Sequence, residues 1–534
     1  MLKTALMFKD RAVLQRDKKI AVWGQADPGA AVKVTVQGQS AETKADADGK
    51  WCALIGPLNM SWKEEMTITA GEDTLVLKDL MVGDVWFAGG QSNMEFHMRY
   101  DADMAAEKEV CGNPAIRFFD YPEVSFVGQI DMADYGKNYG FWRDCNAENL
   151  ERFSAVAYYC VKDLQAKYQI PVGILACNWG GTPVMAWMPE EVSAQNGDAH
   201  RIDEYHQQLA ALDLEEYDRK FMNNPGSFHT DIIGDPFSDF MMFGCEPDEL
   251  QQKLGEMMAA AGIDPTQVNM EDLQLPMGPK HEWRPAGVYE SMLLPCVPYG
   301  IKGFLWYQGC SDADRPEDAH GYEKAFPALI RHWRGLWKDD TLPFLFVQLA
   351  PLDHWFMTDG IYYPITRAAQ QMTADTVPGT AMAVTTDVGM QWDIHPKKKQ
   401  PVGHRLALLA ENYVYGDKDV LCEAPTLKAL AVEDGKAVLA FENAGDGLHL
   451  TKTVPYGQEV GAQTAGGLRI FQNGAEVDLA GAKAEACGDK LVITCEAIRA
   501  GVPSRAEMAM TKWYLVNLYN SADIPARPAA AETC

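Results

Sequence analysis

Ser92 stands in the segment Gly89-Gly90-Gln91-Ser92-Asn93-Met94, directly behind the apolar run Val85-Trp86-Phe87-Ala88. A serine held where a strand turns into a helix has backbone N–H groups and the helix dipole beside it, and both favour an oxyanion. The plainer reading is a serine that caps the helix. The segment is not G-x-S-x-G, because Met94 stands where the last glycine would be. That argues against an ordinary α/β-hydrolase elbow. A serine nucleophile needs an imidazole to take its proton, and the imidazole needs a carboxylate to fix its tautomer. Asp393-Ile394-His395-Pro396 offers both, with Asp393 placed to reach back towards His395 Nδ1. The alternative is a capping Asp393 and a surface His395 ahead of Lys397-Lys398-Lys399.

Two more turns offer donors for an oxyanion. Asn178-Trp179-Gly180-Gly181-Thr182-Pro183 presents backbone N–H groups with no side chain in the way. Trp306-Tyr307-Gln308-Gly309 presents an amide side chain at a strand end. Neither turn matches the glycine patterns of nucleotide-binding loops. There is no H-E-x-x-H or comparable ligand set, so neither a cofactor nor a metal is expected.

These turns share one kind of setting. DVWFAGG, PVGILACNWGG, GIKGFLWYQG and LPFLFVQLAP are short apolar runs, most of them ending in glycine. Between them lie helical stretches such as NLERFSAVAYYCVKDLQAKY and GYEKAFPALIRHWRGLW. Strands alternating with helices imply βαβ units and a mostly parallel sheet, with ligands bound beyond the carboxyl ends of the strands. The predicted α/β domain covers 83–415. It contains a helical insertion at about 200–285, exemplified by PDELQQKLGEMMAAAG, that is expected to form a lid or one wall. Residues 1–82 read as a β-sandwich-like domain, with an Asp27-Pro28-Gly29 turn between strand runs, and 416–534 as a β-rich domain.

Composition sets outer bounds. A chain of 534 residues exceeds one hydrophobic core. Its formal net charge of −28 argues against nucleic acid or an anionic membrane as partner. The N-terminal stretch is interrupted by Lys3, Lys9 and Asp10, so it has no secretory apolar core, and a cytoplasmic location is expected unless an export signal was trimmed. The 12 cysteines form no CxxC and read as reduced, buried hydrophobes; Cys487 and Cys495 flank a predicted hairpin and could pair in an exported protein.

Taken together, GDVWFAGGQSNM, ILACNWGGTPVMAWMP, IKGFLWYQG and DIHPKKKQPVGHRLAL resemble, in order and spacing, blocks of the sialate O-acetylesterase family among the SGNH (GDSL-like) hydrolases. FKDRAVLQRDKKIAVWGQADPG resembles the family's opening and VNLYNSADIPARP its close. The resemblance implies a three-layer α/β/α core with a flavodoxin-like parallel sheet, plus N-terminal and C-terminal β domains. It implies Ser92 as nucleophile, His395 as base and Asp393 as the orienting acid. Gly180 or Gly181, Gln308 and the Ser92 N–H would line the oxyanion hole, with Gln91, Asn93, Trp179 and Asp312 near the substrate. The implied substrate is an O-acetyl ester on a carbohydrate, sialic acid first and neutral glycans such as xylan second. The rival readings are a non-catalytic carbohydrate-binding protein and a lipase-like esterase.

The chain departs from the family where WYQG is followed by Cys310 in place of the usual glutamate. Cys310 is expected to be a buried thiol, and Asp312 to point away from the hole. A sialate carboxylate would need a cation, for which Arg99, Arg315 and Arg405 lie near the motifs. Each of the three could equally be an ordinary ion pair.

Overall fold

A computed structural model describes the chain except for residues 232, 247, 264–274, 357, 500 and 534. It forms two compact units. One comprises Met1–Gly244, Leu250–Ser311 and Lys324–Phe344; the other comprises Cys245–Glu249, Asp312–Glu323 and Leu345–Cys534.

The first unit opens with short strands. Ala31–Val36 pairs antiparallel with Gln39–Lys44 and with Ser61–Ala70. Val32, Val34 and Val36 point inward while alternate residues face water, the period-two pattern of a half-buried strand. The Asp27-Pro28-Gly29 turn forms as read, with Ala30 N–H donating to the Asp27 carbonyl.

Five strands carry the α/β part of this unit: β1 (Asp73–Gly90), β2 (Asn113–Asp120), β3 (Trp142–Cys145), β4 (Val172–Asn178) and β5 (Gly303–Tyr307). Their order is β3-β2-β4-β1-β5. β4 runs parallel to β2 and to β1, and β5 parallel to β1. Every residue of β4 and β5 is buried, as is β1 from Leu80 onward, which is why these segments read as unbroken apolar runs. The expectation of a parallel sheet needs correction, because the sheet is mixed. β3 runs antiparallel to β2. The connection from β2 to β3 holds only short helical turns, at Gln129–Asp131 and Tyr135–Lys137. It lacks the crossover helix that a parallel return ordinarily uses. β1 also passes unbroken through Val82–Gly83, where the composition changes; its first half is antiparallel to Ser61–Ala70.

Two helices flank the strands: α1 (Ser92–Glu95) and α2 (Ala155–Tyr168). The Ser154 hydroxyl caps α2 by accepting from Ala157 N–H. Within 200–285 the described residues are largely helical, at Ala199–Ala211, Leu214–Asn223, Pro236–Phe243 and Leu250–Ala260. Ile202 and Tyr205, then Tyr217 and Phe221, supply buried stripes at helical spacing. The part of the insertion at 264–274 lies outside the described residues.

The second unit contains the helices Tyr363–Thr376 and Gln400–Tyr413, followed by antiparallel sheets. Thr426–Glu433, Lys436–Glu442, Lys490–Thr494 and Lys483–Cys487 form one sheet, while Leu468–Gln472, Arg505–Met508 and Ala529–Glu532 belong to another. Leu430, Leu439, Ile470 and Leu491 lie in their common core. β character after about 416 is therefore as read. Cys487 and Cys495 are free thiols.

In the first unit the strand order reverses at β1, which has β4 on one side and β5 on the other, and such reversals open a crevice at the strand's carboxyl end. Gly90 ends β1 there at φ +137°, and a Cβ on it would lie 2.2 Å from the Tyr307 carbonyl oxygen. Gly90→Ala is therefore expected to lower stability by more than about 1–3 kcal/mol, the cost of the backbone conformation before any clash. A urea titration checks this; an unchanged midpoint would show that the strand end tolerates a side chain.

Candidate active site

The turn after β1 is fixed by backbone bonds to both neighbouring strand ends. Gln91 N–H donates to the Tyr307 carbonyl at 3.0 Å, and Trp179 N–H donates to the Gly90 carbonyl at 3.1 Å. Ser92 follows as the first residue of α1, only 7% exposed. Its Cβ lies 3.4 Å from where a Cβ on Gly180 would be, so the Gly180-Gly181 turn approaches the serine closely because it carries no side chains.

The Gly180 N–H does not stand open to a ligand. It donates to Glu95 Oε2 at 2.5 Å. Glu95 is buried at the end of α1 and so ties the serine's own helix to the glycine turn. This revises the expectation that Gly180 supplies an oxyanion donor. The signal was in the sequence, three residues after Ser92, but nothing there showed what the side chain would meet.

Glu95 belongs to a buried acidic group. Burial pushes its carboxyl up to about 8, the Gly180 N–H pulling the other way. Burial likewise holds Asp120 at about 7, against the pull of Arg143 and Arg152. Glu123 is raised well above the usual range, first by burial and then by the neighbouring acids, and His229 Nδ1 lies 3.6 Å from it. His97 is buried as the neutral ring, its value lowered to about 3.

The other predicted residues of this unit act on the protein itself. Gln91 was placed near substrate, yet its Oε1 accepts from Gly309 N–H at 2.9 Å and its Nε2 donates to Ser311 Oγ at 3.3 Å. Asn93 is buried and donates to Cys310 Sγ at 3.9 Å. Both side chains therefore brace the turn after β5. Cys310 is buried, as expected. Gln308 is fully buried and donates to the Thr182 carbonyl at 3.2 Å, joining the two glycine-bearing turns. Trp179 is buried with its ring edge-on to His229, 5.4 Å between centroids. Gly181, at φ +72°, lies under Trp283, a residue that sequence reasoning did not single out.

The second unit holds the predicted acid and base. His395 is 2% exposed, with Trp355 packed edge-on at 5.2 Å. Asp393 Oδ1 accepts from the His395 backbone N–H at 2.8 Å, and the same oxygen lies 3.8 Å from His395 Nδ1. That is ion-pair range and too long for a hydrogen bond. Lys397 Nζ meets Asp393 Oδ2 at 2.7 Å. Burial raises the Asp393 carboxyl and lowers Lys397, and their attraction opposes both shifts. Asp312 is buried in this unit.

Each weighed arginine has a carboxylate partner. Arg99 pairs with Asp239 and Arg315 with Asp318. Arg405 forms a buried fork on Asp387, at 2.7 and 2.6 Å, and is part of the core.

Comparison with known proteins follows the same motifs. Residues 280–411 match the family model for carbohydrate esterase, sialic acid-specific acetylesterase. The chain is 26% identical to mouse sialate O-acetylesterase over 453 residues, 78% of this chain and 74% of the relative. The human sialate O-acetylesterase is likewise 26% identical, over 464 residues. The chain is related to the sialate O-acetylesterases. A carbohydrate acetylesterase from Xanthomonas citri matches its structure over the full length of both chains, with TM-score 0.71 and 27% identity. The likeness to these esterases thus spans the β domains as well as the α/β part.

The buried acids give this site a pH signature. Glu95 keeps its proton in the folded chain up to about 8 but loses it near 4.5 when unfolded. Its contribution to stability is complete below the unfolded value and is lost as pH rises through the folded one. The melting temperature should therefore fall by at least a few degrees between about pH 5 and about pH 9. Glu95→Gln should flatten that slope. An unchanged slope in this variant would contradict the assignment.

Proposed function

We propose that the chain is a serine esterase that removes acetyl groups from a carbohydrate, with O-acetylated sialic acid as the leading substrate class. The observation that carries this reading is Ser92 at the carboxyl end of β1, where the strand order reverses, in a chain related over most of its length to the sialate O-acetylesterases. The order β4-β1-β5 around that strand supports an SGNH-type hydrolase core.

Ser92 is the nucleophile and His395 its base. His395 takes the serine proton as Oγ attacks the acetyl carbonyl. The resulting oxyanion is held by backbone N–H groups of Ser92 and Gly181, while Glu95 and Gln308 hold the turns that carry them. His395 then gives that proton to the departing sugar oxygen, which leaves as a hydroxyl, and water repeats the cycle on the acetyl-enzyme. Asp393 acts through its bond to the His395 backbone and its charge near Nδ1. Lys397, 2.7 Å from the other carboxylate oxygen, opposes the upward push of burial on that group.

A second reading within the same chemistry is an acetylesterase for neutral glycans. It is favoured by the carboxylate partners of Arg99, Arg315 and Arg405, since a cation already paired is a poor receptor for a sialate carboxylate.

Acetate release from O-acetylated sialic acid and from acetylated xylo-oligosaccharides separates the two. Ser92→Ala should abolish release from whichever is hydrolysed, by about 10⁴-fold or more. Acetyl esters should outrun octanoyl esters. Comparable turnover by Ser92→Ala, or a preference for octanoyl chains, would overturn the reading.

A further inference from the structure

Trp283 is 42% exposed, whereas Trp86, Trp179, Trp187 and Trp306, the tryptophans of the glycine-turn segments, are buried. Its indole lies against the Gly180-Gly181 turn. A Cβ on Gly181 would come within 2.8 Å of Trp283 Nε1 and 2.9 Å of Cζ2, so the ring occupies the space the glycine leaves empty. The preceding residue, Gly180, packs on Ser92. A partly exposed tryptophan is thus packed on the residue next to the one that meets the proposed nucleophile.

The loop that carries it is tied down at both ends. Ser125 Oγ donates to the Lys280 carbonyl at 2.7 Å, and Lys280 N–H donates to Tyr217 Oη at 3.2 Å. Ala286 N–H donates to the Met185 carbonyl at 3.1 Å, and Arg284 pairs with Glu290 at 2.8 Å. Within the loop, Trp283 N–H donates to His281 Nδ1 at 3.1 Å, and the two rings lie 5.4 Å apart. A large aromatic held in place and left half open to water is pre-organised to receive a flat apolar surface with little ordering cost. The C–H face of a pyranose ring is such a surface, and its slightly positive hydrogens suit the negative face of an indole.

We propose that Trp283 is the stacking platform for the sugar ring that bears the scissile acetyl group, and so a specificity-determining residue. This rests on the esterase reading above. Gly181 serves it twice, by leaving room for the indole and by bringing the ring close to the serine. The acetyl group itself does not need the platform, so substrates with and without a sugar should respond differently.

The test compares kcat/KM for an O-acetylated sugar with that for ethyl acetate, which has no ring to stack. In Trp283→Ala the ratio of the two is expected to fall about tenfold or more, chiefly through KM for the sugar ester; tenfold corresponds to 1.36 kcal/mol. Trp283→Phe, which restores an aromatic face, should recover most of the ratio. Should the alanine variant fail to fold, Trp283→Leu supplies bulk without a ring and should show the same fall. A ratio within twofold of wild type in the alanine or leucine variant overturns the proposal, as does full recovery of the ratio by leucine. Wild-type protein that hydrolyses ethyl acetate but no acetylated sugar would overturn the carbohydrate reading instead, and one that hydrolyses neither would overturn the esterase reading.

Discussion

The close approach of Gly90 to the Tyr307 carbonyl is the constraint on which the site depends. β1 and β5 run side by side in parallel, and their ends can converge only if nothing projects from Gly90. That convergence lets Gln91 N–H reach Tyr307 and lets Gln91's side chain reach the 309–311 turn. On the other flank Trp179 N–H binds the Gly90 carbonyl. Three strand ends are thereby bound together, and Ser92 follows directly as the first residue of α1.

The chemistry of the surrounding shell follows from burial. Four polar side chains near the serine, Gln91, Asn93, Glu95 and Gln308, are almost fully enclosed and engage protein groups. A buried polar group left unpaired is costly, so each fixes the position of another turn. Glu95 is the clearest case. Its carboxyl holds Gly180 against the helix that bears Ser92, and burial keeps it protonated to higher pH than an exposed carboxyl. The setting of the Ser92 helix and pH-dependent stability are coupled through the same side chain.

Much of this was legible in the sequence. Gly-rich ends of apolar runs marked the strand termini, and Ser92, Gly180, Gly181 and Gln308 do gather in one unit. The β-rich ends were visible as short strand-like runs, with the Asp27-Pro28-Gly29 turn between two of them. What was hidden depended on side-chain direction. Gln91 and Asn93 look like substrate contacts in a motif, but their amides turn inward to the 309–311 turn. Arg405 looks like an anion receptor, but its partner Asp387 lies 18 positions away and only folding joins them. β3 was missed as an antiparallel strand because four residues with two charged among them carry little periodic signal. Trp283 gave no sign of its place beside Gly181, since nothing local links residues so distant in the chain.

In the proposed mechanism the acetyl group passes through Ser92. Rapid quenching of the enzyme during turnover of an acetyl ester, followed by peptide mass spectrometry, tests it directly. An acetyl increment is expected on the peptide that contains Ser92, formed before steady state and absent from Ser92→Ala. Turnover with no acetylated peptide, or with the acetyl group on another residue, would contradict it.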